Sequence, residues 1–522
     1  HLMDYDDQMV YAYTMLRKFP QLLEHFQNLY PYICVDEAQD TSKIQHAIIA
    51  LLASKTENLF MVGDEDQSIY GFRAAYPEAL LSFEKNHANA RVLLMEDNFR
   101  SNASIVEAAD RFIQKNTLRH EKHMRATKER MEEIKEISLK SRKAQYSYLM
   151  KVADGCTTQT AVLYRDNECI LPLVDLLERN NIPYQMRNAE LTFFSHRTVL
   201  DVVNIIKLAL NPKDTEAFLK VYYKIGTYLR KQEAMRIAEI SEEKDLPVLE
   251  VAADYQGLSG HVIGCVKSVR THLQNMLQES GDKAVNRISQ YMGYREYLNR
   301  IGVSDSKLKI LRMLGAGEES PERLVKRLEE LKSIILEKQS DAQCPFILST
   351  IHASKGLEYE HVYLIDVVDG ILPEQALQNP KRASKEELQT YEEERRLFYV
   401  GVTRAKQQLT LFTTNRESSF CREILGKTFI QKNSTKVVSA NKIFSQANPY
   451  AQNTKSRMKP TTAEEYKKFK EQLGAGVLVK HKKFGDGVVV SMDEERVQIL
   501  FGEKLRNLDM RMLIQGGFLE VS

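Results

Sequence analysis

Tyr32-Ile33-Cys34-Val35-Asp36-Glu37-Ala38-Gln39-Asp40 carries an apolar run straight into a cluster of carboxylates and an amide. The pattern returns twice downstream: Asn58–Val62 is followed by Gly63-Asp64, and Arg91–Met95 by Glu96-Asp97. Short apolar runs of this kind, separated by helical periodicity, predict buried strands of a parallel sheet. Functional groups of such sheets gather at the carboxyl ends of the strands, where these acidic residues stand. Phosphoryl transfer needs a carboxylate to hold Mg²⁺ and a group to orient the attacking water. Asp36 and Glu37 can divide those roles. An Asp-Glu pair alone often caps the next helix, but Gln39-Asp40 behind it favours chemistry.

The run after the second strand is Gly63-Asp64-Glu65-Asp66-Gln67-Ser68-Ile69-Tyr70-Gly71-Phe72-Arg73. Gln67 can sense a γ-phosphate. Tyr70 and Phe72 lie beside Arg73, a combination suited to base stacking. Aromatics at this spacing are usually core, yet these follow a polar run, so exposure is expected. Asn98-Phe99-Arg100-Ser101 follows the third strand. Phe99 can stack on adenine and Arg100 can reach a phosphate, although Ser101 also reads as a plain N-cap. Ser349-Thr350-Ile351-His352-Ala353-Ser354-Lys355-Gly356-Leu357-Glu358 places hydroxyls, His352, Lys355 and a glycine in one turn, all phosphate-seeking groups. The run Glu393-Glu394-Arg395-Arg396 reads in part as an exposed helix face held by i,i+4 pairs. Arg404, on the face shared with Leu397 and Val400, points inward as an arginine finger must.

At 522 residues the chain needs several cores. No stretch of 18 apolar residues occurs, and the opening His1–Asp7 is acidic where a secretory signal is basic. The six cysteines are scattered without a Cys-x-x-Cys pair, which argues against a zinc site, an iron–sulfur cluster or a disulfide framework and for a reducing cytosol. A net charge of +2 leaves any basic track for nucleic acid to local arrangement. The mixed-sign stretch Asn116–Lys151 reads as a solvated loop and helix. Ala161–Tyr164 is a further strand. From about Leu191 to Ser340 strand signals give way to helical periodicity, and strands return at Pro345–Thr350, His361–Asp366 and Leu409–Thr413. That order predicts a helical block inserted in an α/β domain. Ser434–Lys470 reads as a linker. Gly476–Lys480, Gly487–Ser491, Val497–Phe501 and Lys504–Leu508 read as strands of a small five-stranded barrel with turns at Gly485-Asp486-Gly487 and Asp493–Glu495, and with a basic entry at Lys480-His481-Lys482-Lys483.

In this order and at these distances the segments resemble motifs II to VI of superfamily 1 DNA helicases of the UvrD/PcrA/Rep family. Asp4-Tyr5-Asp6-Asp7 is similar to the Asp-Phe-Asp-Asp that precedes motif II, and Ala161–Arg187 to the extra segment after motif IV. The resemblance implies an ATP-dependent 3′→5′ helicase and translocase on single-stranded DNA and single/double-strand junctions, nucleoid-associated and acting in repair. It implies an α/β fold of RecA-like parallel-sheet domains, the first one incomplete, with an all-helical insertion and a C-terminal Tudor/SH3-like β-barrel. The expected divisions are 1–90 for the first RecA-like domain, 91–190 and 341–433 for the second, 191–340 for the insertion, 434–472 for the linker and 473–522 for the barrel. By the same resemblance Asp36 and Glu37 would serve the metal and the water. Gln67, Arg100 and Arg404 would contact the γ-phosphate, Phe99 the adenine and Glu358 the ribose. Tyr70, Phe72 and Arg73 would meet bases, and Thr350, His352, Ser354 and Lys355 the DNA backbone. ATP and Mg²⁺ would be the cofactors, and the barrel would dock on RNA polymerase as in relatives. Phe72 stands where the family commonly has Trp, Phe99 where it has Tyr, and Ala74 where it has Gly.

The 522 residues hold no G-x-x-x-x-G-K-[ST] phosphate loop. Gly426-Lys427-Thr428 is a decoy, because Cys421 occupies the position of the required first glycine. The expectation is therefore a helicase fragment without ATPase activity of its own. The alternatives are a non-catalytic module that binds DNA or RNA polymerase, and the helicase–nuclease branch, which a small terminal barrel disfavours.

Overall fold

The structure is a computed structural model. It describes residues 3–87, 89–187, 191–337, 344–377, 383–414, 418–427, 477–481, 485–492, 496–501, 504–509 and 519–521. Two compact units divide the chain, 1–429 and 430–522. The expected linker at 434–472 lies outside the described residues.

After two helices, the first unit carries β1 (Ile33–Val35) and β2 (Leu59–Met61), paired in parallel with Ile33 opposite Leu59 and Val35 opposite Met61. The helices Tyr5–Lys18 and Lys43–Ala53 begin in capping boxes, Asp4 with Asp7 and Ser42 with Gln45. The strands are not buried as expected. Cys34 and Phe60 stand exposed at the middle of β1 and β2, because a sheet of two three-residue strands has nothing to cover both faces. Arg91–Met95 forms no strand. No described strand pairs with it, and Met95 is 93% exposed. Pairing starts only at β3 (Asp97–Asn98), which runs parallel to β4 (Arg125–Ala126).

The larger sheet contains β5 (Lys135–Leu139), β6 (Thr160–Tyr164), β7 (Gln185–Met186), β8 (Phe346–Thr350), β9 (Tyr359–Leu364) and β10 (Ala405–Thr414). Their order is β5-β10-β9-β6-β8-β7, and every pairing is parallel. Every residue of β6 and β8 is buried, which suits their apolar runs Ala161–Tyr164 and Phe346–Leu348. β7 and β8 are neighbours, yet the helices from Thr192–Ser195 to Pro321–Glu337 intervene in sequence. Their core is continuous with one face of the sheet: Val202, Ile205, Leu311 and Leu324 cluster with Phe346, Leu348 and Phe412.

Two charged runs are solvated only in part: Glu393 and much of the stretch after Asn116 are exposed, but other members are not. In the helix Lys385–Val402, Glu392, Glu394, Arg395 and Arg396 are buried instead of solvated. Each has a partner far along the chain: Glu392 accepts from Thr117, Glu394 pairs with Arg165 at 2.8 Å, Arg395 pairs with Glu423 and Arg396 donates to the Leu118 carbonyl. In the stretch after Asn116, Arg119 is buried against Asp66 at 2.9 Å. Lys122 reaches Asp64 at 2.7 Å and Glu65 at 3.0 Å.

In the second unit β11 (Leu478–His481), β12 (Gly485–Met492), β13 (Arg496–Phe501), β14 (Lys504–Asp509) and β15 (Leu519–Val521) form an antiparallel sheet in the order β14-β13-β12-β11-β15. Val479, Val489, Val497 and Ile499 face its core. Gly485-Asp486-Gly487 opens β12 instead of forming a turn. A Cβ at Gly487 would lie 2.6 Å from the Phe501 ring, so its glycine serves packing. The expected turn Asp493–Glu495 and the Lys482-Lys483 part of the basic entry lie outside the described residues.

The helical block encloses one ionic group. Lys224 Nζ lies 2.6 Å from Asp201 Oδ1 with both side chains buried, and Tyr294 OH donates to Asp201 Oδ2 at 2.8 Å. Asp201→Ala leaves an uncompensated buried cation and should destabilise the block by about 3–5 kcal/mol, read by urea unfolding followed by circular dichroism. A change below about 1 kcal/mol would show that Lys224 escapes to solvent.

Candidate functional site

The loop after β1 is Asp36–Asp40. Asp36 and Glu37 are both exposed, and the Glu37 N–H donates to Asp36 Oδ1 at 2.8 Å. Glu37 is in the left-handed region with φ 49°, a conformation that costs about 1–3 kcal/mol and gathers at functional positions. Gln39 is buried, and its amide donates to Glu37 Oε2 while its carbonyl oxygen accepts from the Asp64 N–H at 3.0 Å. That crossing requires Gly63, where a Cβ would come within 2.6 Å of Gln39 Oε1.

The loop after β2 carries Gln67 and the aromatics. Gln67 Nε2 donates to Asp64 Oδ2 at 2.7 Å, which turns Gln67 Oε1 toward Arg404 Nη2 at 3.3 Å. Arg404 is 1% exposed and has no carboxylate partner among the described residues. Its other donors go to the carbonyls of Val400 and Leu357 and to the Thr403 hydroxyl. Burial, then the nearby Arg100 charge, pulls its guanidinium down to about 10. Gln67, Arg100 and Arg404 line one groove of about 480 Å³ together with Asp64, Asn98 and Tyr399. At its rim Arg100 Nε donates to Glu358 Oε2 at 2.8 Å, and Lys406 pairs with Glu358 at 2.8 Å. Lys406 and Arg100 hold the Glu358 carboxyl below its usual range despite partial burial. Phe99 projects 72% exposed from the residue before Arg100. Asp36, Glu37 and Phe99 do not line the groove.

The third loop follows β8. His352 packs edge-on to Phe72 with ring centroids 5.6 Å apart, and its carbonyl accepts from Tyr70 OH at 3.3 Å. Arg73 lies over both aromatic rings, 5.2 Å from Tyr70 and 5.4 Å from Phe72. Phe72 is exposed as expected, but Tyr70 is half-buried, packed against the core beneath it. Lys355 Nζ reaches back to Glu37 Oε2 at 3.2 Å, to Asp40 and to the Gln67 carbonyl at 3.0 Å. Thr350 accepts from the Ala353 N–H, and the fully buried Ser354 donates to the Ile351 carbonyl. Both hydroxyls therefore shape the turn instead of facing solvent. Ala74, which closes the aromatic run, sits at φ 59°, a backbone region in which glycine carries no Cβ penalty.

Sequence reasoning missed Asp40, Asp64 and Lys122 as members of this arrangement. Asp40 was visible only as part of a motif, and the ion pairs of Lys122 join segments nearly sixty residues apart. Burial works against the Lys122 charge, but Asp64, Asp66 and Glu65 outweigh it and raise its affinity for the proton.

Burial, followed by the charges of Arg165 and Arg73, lowers His352 from 6.5 to about 4. The unfolded chain therefore takes up a proton between those values that the folded chain does not. The folded state loses stability at His352 as pH falls through that window. An imidazole NMR titration should find His352 neutral at a pH of about 5.5, and a charged ring there would contradict this packing.

The UvrD/REP helicase N-terminal domain matches residues 1–88, and the UvrD-like helicase C-terminal domain matches residues 93–416. An ATP-dependent DNA helicase PcrA of Staphylococcus epidermidis (strain RP62A) is 27% identical over 533 residues, covering 94% of this chain and 70% of the relative. The PcrA of Staphylococcus aureus (strain NCTC 8325) is 27% identical over 530 residues, covering 95% of this chain and 71% of the relative. The matched domains contain all three loops described above, and the chain belongs to the UvrD/PcrA/Rep family of superfamily 1 helicases.

Proposed function

We propose that this chain carries the nucleotide-sensing and DNA-gripping loops of an ATP-dependent 3′→5′ helicase and translocase on single-stranded DNA. The observation that carries the reading is Arg404: a buried guanidinium with no carboxylate partner, held beside Gln67 and Arg100 in one groove. A buried cation is costly unless paired, and a nucleotide phosphate would complete this one. In this reading 1–90 belongs to a first RecA-like domain, 91–190 and 341–433 to a second, and 191–340 to a helical insertion.

The residues suit the group they would hold. No cluster of three or more metal-ligating side chains occurs among the described residues, and Mg²⁺ is commonly held by one or two carboxylates together with nucleotide phosphates. Asp36 would supply that carboxylate, and Glu37 would orient water and take its proton. Gln67 and Arg100 would report the γ-phosphate, Glu358 would meet the ribose and Phe99 the adenine. Bound Mg²⁺ would neutralise charge on the transferring phosphoryl group. Across the neighbouring face, Tyr70, Phe72 and Arg73 would meet bases while His352 and Lys355 met the backbone. The second unit, read as a Tudor-like barrel, would dock on RNA polymerase. Deleting 474–522 should abolish polymerase pull-down and spare DNA binding, and retention of the polymerase would remove that role.

Phe72→Ala should weaken single-stranded DNA binding by about 1–3 kcal/mol, measured by fluorescence anisotropy. Unchanged affinity would take Phe72 off the DNA face. The 522 residues contain no phosphate loop, so by themselves they should hydrolyse ATP at background rate with or without single-stranded DNA. Hydrolysis stimulated by DNA would mean that another element holds the phosphates.

A further inference from the structure

Lys355 Nζ donates to Asp40 Oδ2 and to the Gln67 carbonyl at 3.0 Å, and it forms an ion pair with Glu37 Oε2 at 3.2 Å. Its side chain is 8% exposed, and its ammonium lies 5.6 Å from the centre of the Tyr70 ring. The same short turn carries His352 out to the exposed Phe72. In this arrangement the Lys355 ammonium is held by groups of its own chain. Its partners are over-supplied with negative charge, since two carboxylates share one ammonium. Asp40 Oδ1 is buried without a hydrogen-bond partner. Gln39 also holds Glu37 through the oxygen that faces Lys355.

We propose that Asp40, with Glu37, is the intramolecular competitor of a DNA backbone phosphate for Lys355, so that seating the strand and releasing Glu37 are one event. The inference rests on the reading of the Tyr70–Phe72–His352 face as the DNA face. Asp40 acts through Lys355 and is a positioning residue. A phosphodiester that draws the lysine outward by rotation of its own side chain leaves Glu37 free to meet water. The left-handed backbone at Glu37 keeps that carboxylate in the exposed loop in either case.

The test is binding of a labelled oligothymidylate to the 522-residue chain, followed by anisotropy over a range of salt. Asp40→Asn should tighten binding on the order of fivefold, and the gain should vanish in the Lys355→Ala background. Lys355→Ala should flatten the log–log salt slope by about 0.7, one single-strand phosphate contact, and Lys355→Arg should restore it. Glu37→Gln, at an exposed position, gives a second variant with the same expected direction. Affinity unchanged by both carboxylate variants would overturn the proposal while leaving the DNA face standing. So would an equal gain with and without Lys355, which would report only lost negative charge. Absence of any DNA binding by the unsubstituted chain would overturn both the proposal and the reading beneath it.

Discussion

A parallel sheet of two three-residue strands cannot hold its own loops. Gln39 ties the loops after β1 and β2 to each other, and cations and hydrogen bonds reaching across from the segments around the larger sheet hold them from outside. Arg119 takes Asp66, Lys122 takes Asp64 and Glu65, Lys355 takes Glu37 and Asp40, Arg404 takes Gln67 and the His352 carbonyl takes Tyr70. Every residue proposed to handle nucleotide or DNA on these two loops is therefore in contact, directly or through one neighbour, with a group that could move.

The chain Lys122–Asp64–Gln67–Arg404 shows how such contacts follow one another. Asp64 fixes the amide of Gln67, which presents its oxygen to a buried arginine. Apolar packing could hold the loop as firmly but could not orient an amide. The buried cations carry the cost: Arg404 has only neutral acceptors. Such a group lowers stability in the absence of an anion and rewards the arrival of one.

Much of this was legible in the sequence. Buried strands with mainly apolar runs, such as β6 and β8, announce themselves, as does the helical block between β7 and β8. Asp36 and Glu37 stand directly after β1, whereas Glu358 and Arg404 stand directly before β9 and β10. What was not legible is what depends on distant partners. Arg91–Met95 has the composition of a strand and finds no neighbour to pair with among the described residues. The Glu393–Arg396 run has the pattern of a solvated helix face, which Glu393 keeps, but Arg165, Glu423 and the Leu118 carbonyl supply the partners that bury Glu394, Arg395 and Arg396. Ser354 carries the same hydroxyl whether it faces a ligand or the Ile351 carbonyl, and only the turn decides. Gly487 reads as a turn glycine and proves to be a packing glycine under Phe501. Ala74 gains a physical meaning only from its left-handed backbone.

The central claim is that the loops after β2 and β8 together form one face for a single DNA strand. Photo-crosslinking with an oligonucleotide carrying 5-iodouracil, followed by peptide mapping, tests it directly. Crosslinks on Tyr70, Phe72 or His352 are the predicted result. Crosslinks confined to the helical block or to the second unit would contradict the account.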